Sequence, residues 1–334
     1  MNITVRHPGL QTTVQDLGRP MWQHLGVPVG GAMDLYAHRI ANLLVGNEEG
    51  AAALECAFGG FSMQCDAPVL IALAGRDVTA SLDGTAVLPW RPVLARRNEL
   101  LVLHTGCRTT IAIAGGVDVP RMLDSRSTSL RAAFGGWCGR ALQRAVTLPV
   151  AETPALAERI MTALGAARRT VADFGAGRSL TPPYVAAPRV RFIPGPEFAL
   201  LTDTSRAALF GASFRLTPES DRMGFRLSGP PLSLTTSREM LSSGVTAGTI
   251  QLPPGGAPIV LMADRQTTGG YPRLGDVITV DLPLLAQLRP GEQVRFAPTT
   301  LADAHAEYRR REQDLACAAH ALALRFAPGA DGAR

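Results

Sequence analysis

The apolar runs of this 334-residue chain are short. Val69-Leu-Ile-Ala-Leu73, Thr110-Ile-Ala-Ile-Ala114 and Ile259-Val-Leu-Met-Ala263 have the length of buried strands rather than of helices. Glycine (34) and proline (25) punctuate the intervals, so many turns and short strands are expected and few long helices. With 46% hydrophobic and 18% charged residues the chain can bury a sizeable core, in one large or two medium domains.

Residues 1 to about 33 read as short strands and loops, broken by Gly26, Pro28, Gly30 and Gly31. A helix is expected over 34–45, capped by Asp34, with Leu35, Ile40, Leu43 and Leu44 on its apolar side and Gly46-Asn47 as its stop. Strands and turns alternate from 54 to about 149, and Asp83-Gly84 marks a hairpin. Composition changes near 151: a short helix fits 155–169, and 175–188 is a loop rich in Gly, Ser and Pro. Strands resume at 189–193 and run to about 296. The stretch from 301 to about 325 predicts a terminal helix, stopped by Pro328 and Gly329. The expected organisation is an N-terminal β-domain (1–150), a linker with a short helix (151–188), a C-terminal β-domain (189–300) and a helix with tail (301–334). A faint echo relates 110–128 to 259–270: each is a buried strand followed by glycines and an Arg-plus-hydroxyl segment. A duplication would give two related β-domains, each lending a cluster to a shared cleft, although short apolar strands also look alike by chance.

All 33 basic residues are Arg, and Lys is absent. That excludes a Schiff-base lysine, a phosphate-loop lysine and a lysine carrying biotin or lipoate. Arginine orients and neutralises but is a poor general base near neutrality. The net charge of +5 is scattered and aromatics are 5%, which argues against nucleic-acid binding. Five cysteines (Cys56, Cys65, Cys107, Cys138, Cys317) form no CxxC pair and fit reduced, partly buried thiols in a cytoplasmic protein. The opening MNITVRHPGL lacks a signal-peptide core, and no apolar run approaches the ~20 residues of a membrane helix. The six histidines show no metal-ligand spacing with the cysteines, so no metal is expected. No nucleophile elbow, Rossmann fingerprint or Walker loop is present.

Four clusters could carry chemistry. Gln15, Asp16 and Arg19 lie in a Gly-rich segment that suits a binding loop or a set of capped turns. Asp124-Ser-Arg126-Ser127-Thr128 suits an oxyanion or a helix N-cap turn. Arg222 and Arg226 are four apart in a segment read as extended, sharing one face, or else are solvated flanks of a strand. The densest cluster ends the run 259–263: Asp264, Arg265, Gln266, Thr267 and Thr268, then Gly269, Gly270 and Tyr271, with Ser242, Ser243 and Gln251 nearby. A carboxylate, a guanidinium, a carboxamide and hydroxyls suit a planar amide, lactam or carboxylate.

At these residues the sequence resembles the allophanate hydrolase subunit 2 family, also called the biotin-dependent carboxyltransferase family, which includes the C-type subunit of 5-oxoprolinase. The matching segments are HPGLQTTVQDLGRP (7–20), GVPVGGAMD (26–34), ANLLVGN (41–47), AIAGGVDVP (112–120), SRST (125–128), SDRMGFRL (220–227) and GTIQLPPGGAPIVLMADRQTTGGYPRLGDVI (248–278). The resemblance implies a mainly β fold of two cyclophilin-like β-barrel domains with a few short helices. It implies a partner, the allophanate hydrolase subunit 1-like protein (the B-type 5-oxoprolinase subunit), and with it the A-type one. In bacterial 5-oxoprolinase the three subunits open 5-oxo-L-proline to L-glutamate using ATP. In urea carboxylase similar domains form a carboxyltransferase, and a further relative antagonises a kinase inhibitor without catalysis. Asp221 stands where the family usually has Asn, Ser243 where it usually has an acidic residue, and Arg144-Ala145 near a common Gly-Asp.

Residue chemistry and resemblance together assign expected roles. Asp264 and Gln266 would hold a planar amide, accepting from N–H and donating to C=O, while Arg265 and Arg222 neutralise a carboxylate, a phosphorylated intermediate or an oxyanion. Asp264, Arg265 and Gln266 are thus the expected catalytic residues. Gln15, Asp16, Arg19, Arg126, Ser127, Arg222, Gln251, Thr268 and Tyr271 are the expected substrate-binding ones. ATP would sit on a partner subunit, and biotin would be carried in trans in the carboxyltransferase alternative.

Overall fold

In the computed structural model of the chain, which describes residues 1–236 and 240–327, the short apolar runs pair as strands. Two compact units form, and neither is contiguous in sequence. One comprises 1–18, 34–182 and the chain from 312; the other comprises 19–33 and 183–311. Residues 19–33 therefore leave the N-terminal block to which the sequence assigned them. Their backbone explains why: the Gly30 amide donates to the Ala263 carbonyl at 3.1 Å, and the Gly31 carbonyl accepts from Arg222 Nη2 at 2.5 Å.

The first unit holds two antiparallel sheets. The six-stranded one runs Thr147–Pro149, Asn2–Pro8, Phe61–Cys65, Leu100–Thr105, Thr79–Leu82, Thr85–Val87. The five-stranded one runs Gln11–Gln15, Ala53–Ala57, Arg108–Ile113, Val69–Ala74, Pro92–Ala95. Every residue of Val69–Ala74 is buried, as a continuously apolar run demands. The hairpin turns at Asp83 (φ 44°) and Gly84 (φ 78°), as the dipeptide predicts. Helix Leu35–Leu44 packs on Arg108–Ile113 and Val69–Ala74. Asp34 caps it by accepting from the Ala37 amide at 2.9 Å, an interaction worth about 1 kcal/mol. The short second helix spans Ala155–Ala166, ending before the expected 169.

The second unit is a closed seven-stranded barrel in the order Arg189–Pro194, Arg273–Val277, Thr249–Gln251, Ile259–Leu261, Gly224–Ser228, Phe214–Leu216, Gln293–Pro298. A parallel pairing of Arg189–Pro194 with Gln293–Pro298 closes it. Phe192, Phe214, Phe225 and Phe296 fill the interior, each 1% exposed or less, and Phe192 meets Phe296 edge-on at 6.0 Å. Burial of each such ring contributes roughly 2–3 kcal/mol. The last helix, Leu301–Arg325, has the expected bounds, and its predicted stop at Pro328 and Gly329 lies outside the described residues. Near its middle, Glu312 receives two Arg39 hydrogen bonds of 2.6 Å each. Among the described residues, no helix is long and apolar enough to cross a membrane.

Candidate functional site

The run expected at 259–263 is a strand only over Ile259–Leu261, lying between Thr249–Gln251 and Gly224–Ser228. The chain then turns, but its amides keep bonding to the neighbouring segment: Met262 donates to the Met223 carbonyl at 2.9 Å and Asp264 to the Arg222 carbonyl at 2.8 Å. This register sets the Asp264 carboxylate beside the Arg222 guanidinium. Nε donates to Oδ2 and Nη2 to Oδ1, both at 2.9 Å, with only 12% and 8% of the two side chains exposed. Arg19, 2% exposed, joins them: a Cβ on Gly30 would stand 3.3 Å from Arg19 Nη1 and 3.8 Å from Asp264 Oδ1. Asp264 and Arg222, expected to hold an amide and to neutralise an anionic group of the substrate, are paired with each other in this structure. Arg226 is exposed on its strand whereas Arg222 is buried in the bend before it, so the two share no face.

Arg265 is different. It is 7% exposed, and it donates to backbone carbonyls, Nε to Val245 and Nη1 to Met262, both at a long 3.4 Å. Among the described residues no carboxylate pairs with it, and burial alone lowers its pKa. Guanidinium stays charged regardless, so a buried cation here is under-compensated. Gln251 is 2% exposed, and its Nε2 has no hydrogen-bond partner among the described residues. Both side chains lie beneath a two-stranded ribbon in which Ser243 opposes Gly269 and Gly244 opposes Thr268. The Val245 amide donates to the Thr267 carbonyl at 3.1 Å, and Arg273 Nη1 donates to the Gly244 carbonyl at 3.4 Å. Gln266 is half-buried, whereas Thr268 and Tyr271 are exposed, Tyr271 at 47%. The site thus offers buried donors, a guanidinium and an amide, and few acceptors.

The predicted residues of the first unit form a separate cluster. Asp16, 8% exposed, accepts from the Ser125 and Ser127 hydroxyls and from the Arg126 and Gly18 amides, at 2.5 to 2.8 Å. Arg126 is turned to its own loop, donating to the Val119 carbonyl at 2.8 Å and to Asp118 at 2.7 Å. Gln15 is fully buried; Nε2 donates to Thr13 and to the Thr128 carbonyl, and Oε1 has no partner among the described residues. Among the described residues no helix directly follows Thr128, so the Arg126 and Ser127 segment is not a helix N-cap turn; its hydroxyls and the Arg126 amide instead surround the Asp16 carboxylate. Beneath them His38 is pushed down to about 4 by burial, a shift opposed by Asp16 and Glu55. Burial raises the Cys56 thiol and pushes Cys65 up to about 12, which leaves both inert near neutrality. An apolar cavity of about 270 Å³ between Leu43, Phe174 and Leu322 contains none of the predicted residues.

Sequence reasoning placed Gly269 and Ser125 within its clusters without assigning either a role, and it did not single out Val245. The serine was legible as a hydroxyl beside Ser127. Gly269 and Val245 matter through the ribbon, in which Gly269 lies in a two-residue strand and Val245 directly follows one, and such short strands leave no periodic signal.

A protein-family model described as carboxyltransferase domain, subdomain A and B, matches residues 25–298. The chain is 38% identical over 299 residues to the C-type 5-oxoprolinase subunit of Escherichia coli (strain K12), covering 89% of this chain and 91% of that protein. It is 34% identical over 306 residues to the C-type 5-oxoprolinase subunit of Haemophilus influenzae, covering 91% and 93%. The crystal structure of the Kluyveromyces lactis urea amidolyase superposes with a TM-score of 0.85 at 26% identity, over 95% of this chain and 20% of that one.

Proposed function

The chain belongs to the carboxyltransferase-domain family of subdomains A and B, and from that premise we propose that it is the C-type subunit of an ATP-dependent 5-oxoprolinase. With B-type and A-type partners it would open 5-oxo-L-proline to L-glutamate. The observation that carries this reading is Arg265: a buried guanidinium without a carboxylate among the described residues suits a substrate that brings its own. 5-Oxoproline carries one carboxylate and one lactam carbonyl, and the two buried donors match these two acceptors in kind. Water adds to the lactam carbonyl and the ring C–N bond breaks. ATP, held by a partner, supplies the driving force for the opening. The C-type relatives match along nearly their whole length, which favours this reading over the carboxyltransferase one.

The superposition on urea amidolyase supports a second reading, carboxyl transfer from biotin carried in trans. Co-purifying the chain with its partners and assaying with avidin present separates the two. Glutamate formation from 5-oxo-L-proline that needs ATP and ignores avidin is the expected result. Activity abolished by avidin establishes the second reading instead.

A further inference from the structure

The apolar cavity of about 270 Å³ lies within the first unit, between two helices and a loop. Helix Leu35–Leu44 gives it Ile40, Leu43 and Leu44, which share one face. The terminal helix gives it Ala318, Ala321 and Leu322, with Arg325 a turn further on the same face. The cavity has a cause in the sequence: where the first helix presents leucines, the last presents two alanines, and their methyl groups leave the space between unfilled. Contacts on either side bracket the stretch 318–325. Arg39 donates twice to Glu312 before it, and Phe174 meets Phe326 at 5.3 Å after it. That stretch rises roughly 10 Å along the helix axis. Of the described lining residues Arg325 alone is charged. Its guanidinium lies 4.6 Å from the Phe174 ring centroid, so the ring covers its face and leaves its in-plane N–H groups for acceptors. Among the described residues one of these donors makes a hydrogen bond, from Nη2 to Asp173 Oδ1 at 2.9 Å. Asp173 also accepts from Arg169 Nη1 at 2.7 Å. One carboxylate thus serves two arginines, and the rim keeps a spare positive charge. The last seven residues of the sequence, PGADGAR, carry no large apolar side chain that could fill the cavity.

We propose that this cavity binds a straight-chain monocarboxylate of about ten carbons, with its alkyl chain between the helices and its carboxylate on Arg325. The size follows from the volume. An apolar cavity of about 150 Å³ takes the six carbons of benzene, and 270 Å³ scales to about ten. Spread over roughly 10 Å of helix, that volume is a single chain wide. The charge follows from Arg325: a planar fork of N–H groups beside a spare positive charge suits a carboxylate better than a hydroxyl or an amine. A compact lactam acid would bury its amide against leucine side chains without a hydrogen bond, so 5-oxoproline does not suit this cavity. The site uses no residue of the Arg265 cluster.

The test is calorimetric titration of the full chain with hexanoate, octanoate, decanoate and dodecanoate, each below its micellar concentration. Affinity should rise about fourfold with each added methylene as far as decanoate, then level off because the cavity is full. Ala318→Phe fills the cavity and should weaken decanoate binding by about tenfold or more, while melting no lower than the unmodified protein. Arg325→Gln should weaken octanoate binding by about tenfold yet leave 1-octanol binding within about twofold, a split that a merely structural role for Arg325 would not produce. If Ala318→Phe fails to fold, the chain-length series and Arg325→Gln decide. No binding of decanoate at about 1 mM, affinity that ignores chain length, or undiminished affinity in Ala318→Phe overturns the site. Equal losses of octanoate and 1-octanol in Arg325→Gln overturn the carboxylate assignment. Self-association of the unmodified chain in sedimentation, abolished in Ala318→Phe, gives the cavity to a second copy and also overturns the proposal.

Discussion

Asp264 faces Arg222 through two hydrogen bonds of 2.9 Å, and both side chains are nearly out of solvent. A buried pair of this kind contributes little over an apolar substitute, but removing one member leaves an uncompensated charge. Asp264→Asn should therefore lower the unfolding free energy by about 3 kcal/mol in urea titration. Unchanged stability with turnover abolished would return Asp264 to the catalytic role its sequence context suggests. His38 makes a pH-dependent contribution of its own. The folded protein holds its imidazole at about 4, against 6.5 for the ordinary side chain. Above pH 6.5 it is neutral folded or unfolded. As pH falls from 6.5 to about 4 the unfolded chain takes up a proton that the folded chain refuses, so stability falls, by about 3 kcal/mol in all. Asp16, Glu55 and the Ala51 carbonyl face the ring and limit the shift. His38→Gln should flatten this part of the stability profile, and an equally steep profile in the variant would contradict the assignment.

Among the elements, the first and last helices are the most legible in the sequence, whereas the helices Asp203–Gly211 and Leu282–Ala286 lie in a stretch read as strands. Asp34 announces the first by capping it, and the terminal helix keeps the bounds that its Ala-, Glu- and Arg-rich run predicts. The first and last helices are joined by Arg39, whose guanidinium also donates to Glu49 at 2.5 Å. Glu312→Gln should weaken this clamp and speed amide exchange in the helix beyond 312. Exchange as slow as in the unmodified protein would show that apolar packing alone holds that part. Pairings over long separations are illegible in a single sequence. Arg222 and Asp264 are 42 residues apart, and nothing local says that each will neutralise the other. The strand at 259 stops at Leu261 although Met262 and Ala263 are apolar, because Met262 already bonds to Met223, outside the neighbouring strand. The candidate site was legible as a dense polar cluster. The division of labour within it was not, since Arg265 and Arg222 look alike until their partners are known.

The whole molecule contains two β-rich units whose chain segments interleave. Residues 19–33 belong to the barrel unit through Gly30 and Gly31, a placement that composition cannot foretell. The absence of Lys has consequences at this scale too. Every side-chain cation apart from histidine is an arginine, so its charge persists at any physiological pH and its geometry suits carboxylates. A chain so equipped suits an anionic amide, and under the proposed function the phosphate chemistry would fall to partners. The most direct measurement is ATP-dependent glutamate formation from 5-oxo-L-proline by the partner subunits, with this chain, without it, and with its Arg265→Ala variant. Turnover should require the chain, and the variant should lower kcat/KM by about a hundredfold, equivalent to one strong charged contact. Undiminished turnover without the chain, or with Arg265→Ala, would contradict the account.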